Sequence, residues 1–540
     1  VFLEEMLGGS GNRTVGLNFG DREFAMVSDQ GFARPRGDIT TVLDLTDRDD
    51  QDDTLFPLDT EVTRFMPVNT KVAPFTQTDV EFVHRGPAEF GQTFVFDMGR
   101  VGCGDFLAGL ALQVRLGHWF PEAVLQGLSA GQTTYSDPML STWFYANSLG
   151  TILIQKAELE IDGTVIETID GDFINLWSLL SADLNKTYGI SSDGLGRVPV
   201  SLLRRWAADY YYLSFPTDNR TIICPLLFHF GRGSTGAGSD ELLPLVAIRD
   251  GTCRVRITLR PFSEVVRAGG GMRASCDDTP LGRDFGMMID PTGGTSPSEG
   301  IIVRTGPAAP LFENVQLMTR SVFLGGPLRD AFMKKPFEYL YRQVQTFVFD
   351  EPLKYAVSKS ATLTDSVEIQ LPLELNHPVE ELIWFVRRKG VVVNNEWTNY
   401  TMLLEQQRAA IGGDPGALIP APVVSGKIQI NGIDLIEAEG DYFRRTVAEN
   451  HPGGIIPWLA CVYGYSFARK PGKHQPSGWM NASRAWTVRL SLTVATPPAL
   501  TGLPAGFDAT VANTWEVRVY AMAMNWLRFE NGIANRMFTS

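Results

Sequence analysis

The stretch ELEIDGTVIETIDGDF, residues 158–173, returns in outline as KIQINGIDLIEAEGDY, residues 427–442. Leu159, Ile161, Gly163, Gly171, Asp172 and Phe173 correspond to Ile428, Ile430, Gly432, Gly440, Asp441 and Tyr442, each 269 positions on. Each copy has an alternating run, a two-residue turn, a second run and a Gly-Asp-aromatic step. Asp162-Gly163 and Asn431-Gly432 both suit a type I′ turn, whose central residues need positive φ and whose twist matches that of paired strands. One chain therefore builds the same hairpin twice, and the distance between the copies makes the repeating unit a domain.

The repeat extends beyond the hairpin. LLFHFGRG (226–233) resembles VYGYSFARKPG (462–472) at an offset near 237, VRITL (255–259) matches VRLSL (488–492) at 233, and VQL (315–317) matches VRV (517–519) at 202. A shrinking offset means that strands are kept while the first copy carries longer loops. The Gly/Pro-rich stretch 263–311 is the clearest of these, against only 496–513 in the second copy. Two copies of this size are domains, which excludes a solenoid of short stacked repeats. Period-two alternation and turn residues dominate, and each copy supplies about eight strands. Such strands must each bury one face, which a sandwich of two sheets achieves, and an eight-stranded jelly roll is the natural size. The expected fold is all-β: two tandem eight-stranded jelly rolls with short helices and long inter-strand loops. The division is an N-terminal arm at 1–60, a first jelly roll at 61–325 with its long loop at 263–311, a linker at 326–336 and a second jelly roll at 337–540. Phe173, Leu176, Trp177 and Leu180 stand at helical spacing after the first hairpin and predict one short amphipathic helix.

Composition agrees with such a chain. Its 540 residues allow two to four domains of roughly 100–200 residues each. Apolar residues at 44% supply large cores, and charged residues at 20% fit a globular protein. No apolar run approaches the ~20 residues that span a bilayer, and the opening VFLEEMLGGSG shows no secretory signal. A net charge of −14 argues against a protein that grips a phosphate backbone. Cys103, Cys224, Cys253, Cys276 and Cys461 are scattered and form no CxxC, so buried reduced thiols and assembly in a reducing compartment are expected.

The motifs that suggest chemistry fail on context. GLSAG (127–131) fits G-x-S-x-G, yet turn-like QTTYSDP follows where a nucleophile elbow needs a helix. GRGSTG (231–236) fits a dinucleotide loop, but Pro244 interrupts the following run and the neighbourhood is all β. The acidic run DLTDRDDQDD (44–53) lacks the Gly and Glu of a calcium loop. His84, His118, His229, His377, His451 and His474 show no zinc spacing, and His229 reads as a core or interface residue within a strand. Arg36-Gly37-Asp38 is a weak adhesion tripeptide. Sequons at Asn12, Asn185, Asn219, Asn399 and Asn481 are acceptors only if the chain meets a glycosylation system. No catalytic residue, cofactor or metal site is expected.

YSFARKPGKHQPSGWMNASRAWTVRLSL (465–492) carries the decisive likeness. It resembles a signature segment of the major capsid proteins of nucleocytoplasmic large DNA viruses. Ser466, Phe467, Lys470, Pro471, His474, Gln475, Pro476, Ser477, Gly478, Asn481, Ser483 and Arg484 match that segment. Trp479 and Met480 replace smaller residues and Ala482 replaces an aromatic. WFYANSLGTILIQKAELEIDGTVIETIDGDFINLW (143–177), RPFSE (260–264), NHPVEELIWFVRR (376–388), NGIDLIEAEGDYFR (431–444) and VRVYAMAMNWLRFENGIA (517–534) are similar to other family segments. The likeness covers residues 70–265 and 312–540.

The resemblance implies a double jelly roll in a homotrimeric, pseudo-hexagonal capsomer of an icosahedral shell, with no enzymatic site. It implies as partners further copies of the chain, neighbouring capsomers, minor capsid and penton proteins and inner viral membrane proteins. Direct nucleic-acid binding is not expected, and the place is the virion capsid, assembled in the host cytoplasm. The alternative is a carbohydrate-binding or glycoside-cleaving β-sandwich, because jelly rolls host both.

Overall fold

The computed structural model describes residues 74–98, 103–117, 143–146, 148–181, 221–232, 241–249, 251–268, 288–289, 303–304, 311–350, 366–389, 395–402, 421–451, 461–471, 473, 475–495 and 515–538. In the first half, eight strands form two sheets: β1 Phe75–Val83, β2 Thr93–Asp97, β3 Phe106–Arg115, β4 Ile154–Ile161, β5 Thr164–Ile169, β6 Thr221–Leu226, β7 Cys253–Leu259 and β8 Asn314–Leu324. Eight more follow in the second: β9 Phe337–Phe349, β10 Val367–Leu373, β11 Pro378–Arg388, β12 Val423–Ile430, β13 Ile433–Glu439, β14 Val462–Ser466, β15 Val488–Val494 and β16 Trp515–Glu530.

The first set pairs in the orders β1-β8-β3-β6 and β2-β7-β4-β5. The second pairs as β9-β16-β11-β14 and β10-β15-β12-β13, which is the first order shifted by eight. Two sheets in this order, face to face, make a jelly roll, and the chain makes it twice. Alternation fixes the inner faces. In β2 only Phe94 and Phe96 are buried, and in β7 Cys253, Val255, Ile257 and Leu259 point inward.

The repeated hairpins agree down to their irregularities. Asp162 and Gly163 have φ of 53° and 76°, and Asn431 and Gly432 have 53° and 80°. Register slips between Leu159 and Glu160 in one copy and between Ile428 and Gln429 in the other, 269 positions apart. Each turn is also tied to the strand across the sheet. The Asp162 N–H donates to the Thr252 carbonyl and the Asn431 N–H to the Thr487 carbonyl, both at 2.9 Å. Helix α1, Gly171–Ser181, follows β5, and helix α3, Gly440–Asn450, follows β13. Their first residues are glycine for a steric reason. A Cβ at Gly171 would run into the carbonyl oxygens of Thr151 and Ile154, and one at Gly440 into that of Val423.

Two details differ from the sequence reading. Cys253 and Val488 lie opposite Ile161 and Ile430 respectively, so β7 and β15 correspond at an offset of 235 rather than 233. A slip of two keeps every side chain on its own face, so alternation could not reveal it. The stretch 263–311 contains pairing of its own: Val266–Ala268 with Trp143–Tyr145, and Met288–Ile289 with Val303–Arg304.

Between the rolls stands helix α2, Gly326–Lys334, with Pro327 in its first turn and no buried residue. Phe332 nevertheless packs edge-on to Phe106 of the first roll and Phe337 of the second. From Ala73 onward the chain is one unit, and one apolar cluster runs from Leu112 and Ile257 in the first roll to Trp384 and Leu490 in the second. The rolls are welded, not strung.

Candidate functional site

The weld is where buried polar and charged residues concentrate. β11 reads PVEELIWFVRR and is buried from Val379 to Arg388, both faces included. Its inner face packs Trp384 against Phe443 and Tyr463, while Phe385 turns the other way toward Tyr400 and Tyr520. The outer face is covered by α1 of the first roll. Phe173 lies 5.4 Å from the Tyr520 ring, and Asn175 donates to the Tyr400 hydroxyl at 2.8 Å. The sequence predicted an amphipathic α1, and Phe173, Leu176, Trp177 and Leu180 are buried as that stripe requires. Asp172, Ile174 and Asn175 are buried as well, because the second roll covers what would otherwise be the polar face.

Burying that face brings charges together. Arg387, fully buried, donates to Asp172 at 2.7 Å, to Glu516 at 2.8 Å and to the Trp397 carbonyl at 2.9 Å. Arg518 bridges Asp170 at 3.0 Å and Asp172 at 2.9 Å. Burial pushes the Asp172 carboxyl up, but Arg387, Arg518 and Arg260 outweigh it and hold it well below the usual carboxylate range. Asp170 is raised, by burial and then by Asp172 beside it. It also caps α1, accepting the Phe173 N–H at 2.7 Å.

A second junction joins Glu167 and Arg232 of the first roll to Arg342 of the second. Arg232 pairs with Glu167 and donates to the Arg342 carbonyl at 2.9 Å, and Arg342 pairs with Glu241 at 2.6 Å and Glu380 at 2.7 Å. His229 is in this junction too, on a short 3-10 turn after β6 and not within a strand. Its ring lies 3.1 Å from Glu167 and 5.0 Å from the Tyr341 ring, and burial lowers its pKa to about 4. At a third junction the His451 ring, at the end of α3, stands edge-on to Trp177 and 3.0 Å from both Glu381 oxygens. Burial works against charge on His451, yet Glu381 raises its pKa above the ordinary value. Breaking such buried pairs from one side leaves an uncompensated charge and costs about 3–5 kcal/mol. These junctions fix one roll on the other in one orientation.

The segment after β14 forms a self-bonded loop. The Phe467 N–H donates to the Glu380 carbonyl at 2.8 Å, and Ser477 Oγ accepts the Lys470 N–H at 2.8 Å while donating to the Lys470 carbonyl at 3.1 Å. Gly478 has φ of 142°, Gln475 is exposed and Pro476 is half-buried. Met480–Asn481 pairs with Val379 and Pro378, and Ser483 Oγ accepts the His377 N–H at 3.0 Å. Arg484 and the substituted Trp479 are exposed. His474 lies outside the described residues. The loop thus closes onto the start of β11 and presents its tip to solvent. Among the described residues no cluster of His, Cys, Asp and Glu is placed to hold a metal ion. The buried charges serve packing.

Two family models match the chain: "Major capsid protein N-terminus" over residues 63–324 and "Large eukaryotic DNA virus major capsid protein" over 329–535. The chain belongs to this major capsid protein family. The major capsid protein of Paramecium bursaria Chlorella virus 1 is 31% identical over 246 residues, a stretch covering 41% of this chain and 52% of that protein. That of Phaeocystis pouchetii virus is 24% identical over 555 residues, covering 86% of this chain and 93% of that one. The quasi-atomic model of the Paramecium bursaria Chlorella virus 1 capsid, at 21% identity, shares the fold with a TM-score of 0.58 over 88% of this chain and all of that chain. The Faustovirus major capsid protein, 11% identical, gives 0.56 over 96% of this chain and all of that one. The protein is a structural, non-enzymatic component of the icosahedral capsid of large DNA viruses.

Other sequence readings of this capsid protein now have places or lie beyond description. Asn399 is not an accessible acceptor: it is buried, donates to Glu396 at 2.8 Å and accepts the Thr401 hydroxyl at 2.7 Å. Asn481 is exposed. Asn12, Asn185, Asn219, Cys276, His118, the Arg36-Gly37-Asp38 tripeptide, the acidic run 44–53 and GLSAG lie outside the described residues, as does GRGSTG after Arg232. The weld residues went unrecognised as such in the sequence. Their one signal was β11 itself, whose unbroken apolar run marks a strand covered on both faces.

Proposed function

We propose that this capsid protein closes into a homotrimeric capsomer with a pseudo-hexagonal outline, and that these tiles make the flat faces of the shell. The observation that carries the reading is the identical strand order of the two rolls together with the rigid weld between them. Three such chains give six like rolls around one axis, and a closed three-fold ring needs heterologous interfaces between unlike surfaces. Long inter-strand loops suit the outer surface and the contacts between subunits.

The finer partners follow from position and charge: minor capsid and penton proteins at the edges and vertices, and membrane proteins beneath. The net charge of −14 speaks against direct genome binding. Cytoplasmic assembly agrees with the free, buried Cys103 and Cys253, since burial pushes the Cys103 thiol up to about 11 and keeps it unreactive. Sedimentation and particle imaging of purified full-length protein test the reading. A trimer stable at micromolar concentration, with a near-hexagonal outline, is expected, and a monodisperse monomer would overturn it.

A further inference from the structure

The intra-chain weld is a template, and one half of it is repeated without a partner. β5 and α1 are the surface that the first roll presents to the second. Their counterparts β13 and α3 are built alike and pack on their own roll, and among the described residues they touch the first roll only where His451, at the C-terminal end of α3, meets Trp177. Ile166 is 1% exposed, whereas Leu435, 269 positions on, is 46% exposed. Asp172 is buried among arginines, whereas the Asp441 side chain is 84% exposed and among the described residues pairs with Arg444 of its own helix at 3.3 Å. Ile433 beside the turn is 73% exposed. An apolar strand end beside a helix N-terminal acid is the same chemistry that the weld buries.

The receiving half is repeated as well. The outward residues of β11, Ile383, Phe385 and Arg387, lie opposite Tyr520, Arg518 and Glu516 of β16. In the first roll Ala111, Gln113 and Arg115 of β3 lie opposite Met318, Gln316 and Asn314 of β8. Arg115 therefore takes the place of Arg387, at the end of the third strand and opposite the start of the last. It is about half exposed and pairs with Glu313 at 2.9 Å. On β6 alongside, Ile223 adds exposed apolar surface.

We infer that the β13–α3 face of one chain docks on the outer β3–β8 face of a second copy, with Asp441 meeting Arg115 as Asp172 meets Arg387. The inference rests on the trimer reading and names the surfaces that close it. The contact is heterologous, so each subunit gives one face and receives on the other, and repetition closes a ring. An acid on the giving side and an arginine on the receiving side fix the register. The apolar pair Ile433 and Leu435 supplies the centre that water must leave.

Charge exchange tests this in the full chain. Asp441→Arg and Arg115→Glu, each alone, should raise the concentration at which the trimer dissociates about tenfold or more, read by sedimentation. Combined in one chain they restore an opposite-charge pair at every junction and should recover most of the lost affinity. Leu435→Asp should weaken the trimer without rescue by either. Unchanged denaturation midpoints confirm that the variants fold, since all three positions are exposed. If wild-type protein is trimeric and every single variant dissociates at the wild-type concentration, the inference is overturned while the trimer reading stands. Intact trimers whose variants fail only to join a shell would overturn it too, and would assign the face to another capsid component. A monomeric wild type would sink both.

Discussion

β3 and β11 hold the same place in the two rolls, yet their sequences obey different rules. FLAGLALQVR is buried through Ala108 and then alternates, with Leu110, Leu112 and Val114 buried and Ala111 and Gln113 half-buried on the other face. PVEELIWFVRR is buried without a break past its first residue. Strand order, register partners and hairpin geometry are shared, so the difference is not in the roll. It is in what lies on the outer face: α1 of the same chain for β11, and, beyond the Phe106–Ala108 end that Val246 and Phe332 cover, nothing from the described residues of the chain for β3. Duplication kept what the backbone needs, and the copies diverged where their surroundings differ. A strand's pattern reports both of its neighbours, and two copies with one topology let the second neighbour be read by subtraction.

Removing the two equivalent arginines tests that subtraction most severely. Arg387→Ala takes the shared donor from Asp172 and Glu516 in a buried site, leaving two acids to Arg518, and should cost about 3–5 kcal/mol. Arg115→Ala removes one partly exposed ion pair and should change the stability of the dissociated chain by only about 0.5 kcal/mol or less. Denaturant unfolding of both variants, below the concentration of assembly, measures the contrast. Equal losses would mean that the two faces are not different environments.

The opposite outcome is expected where the copies agree. Gly163→Val and Gly432→Val place a β-branched side chain at a φ of 76° and 80° respectively, and neither new Cβ meets a neighbour within 4 Å. The cost is therefore backbone strain alone, about 1 kcal/mol or more at each turn. Thermal unfolding should show similar losses for the pair. A loss at one turn only would show that the hairpins are not the same local structure.

This division also explains what could be read from the sequence. Turn dipeptides, alternation and the Gly-Asp-aromatic step are local, and they marked both hairpins and the start of α1. A third dipeptide, Asn531-Gly532, with φ of 54° and 81°, was equally local and went unused; it turns β16 into the short strand Ile533–Arg536. Strand order was not legible, because sheet neighbours such as β1 and β8 are far apart in the chain. The weld was illegible for the same reason: Asp172 and Arg387 are 215 positions apart, and neither stands in a motif that demands the other. The placement of β7 against β15 missed by two because alternation is blind to that slip. The signature segment 465–492 pointed to the family without pointing to any of these contacts.

The smallest expected effect sets two histidines of the weld, His229 buried and His451 half-buried, against each other by pH. His451 is raised above its ordinary 6.5: burial opposes its charge, but Glu381 on one side outweighs that, with only the Trp177 ring edge-on to it. A folded-state value above the unfolded one gives stability that is complete below about pH 6.5 and is lost as pH rises through the raised value. His229 carries the opposite sign. Burial lowers it to about 4, against a smaller opposing pull from Glu241, so its site is most stable above pH 6.5 and weakens as pH falls toward 4. Unfolding midpoints followed from pH about 5 to about 8.5 should therefore pass through a shallow maximum. His451→Gln should flatten the alkaline limb only, and His229→Gln the acid limb only, down to where carboxylates such as the raised Asp170 begin to protonate. An alkaline limb unchanged by His451→Gln would mean that the ring beside Glu381 is not charged in the folded chain. The third junction of the weld would then be a packed aromatic contact without an ion pair.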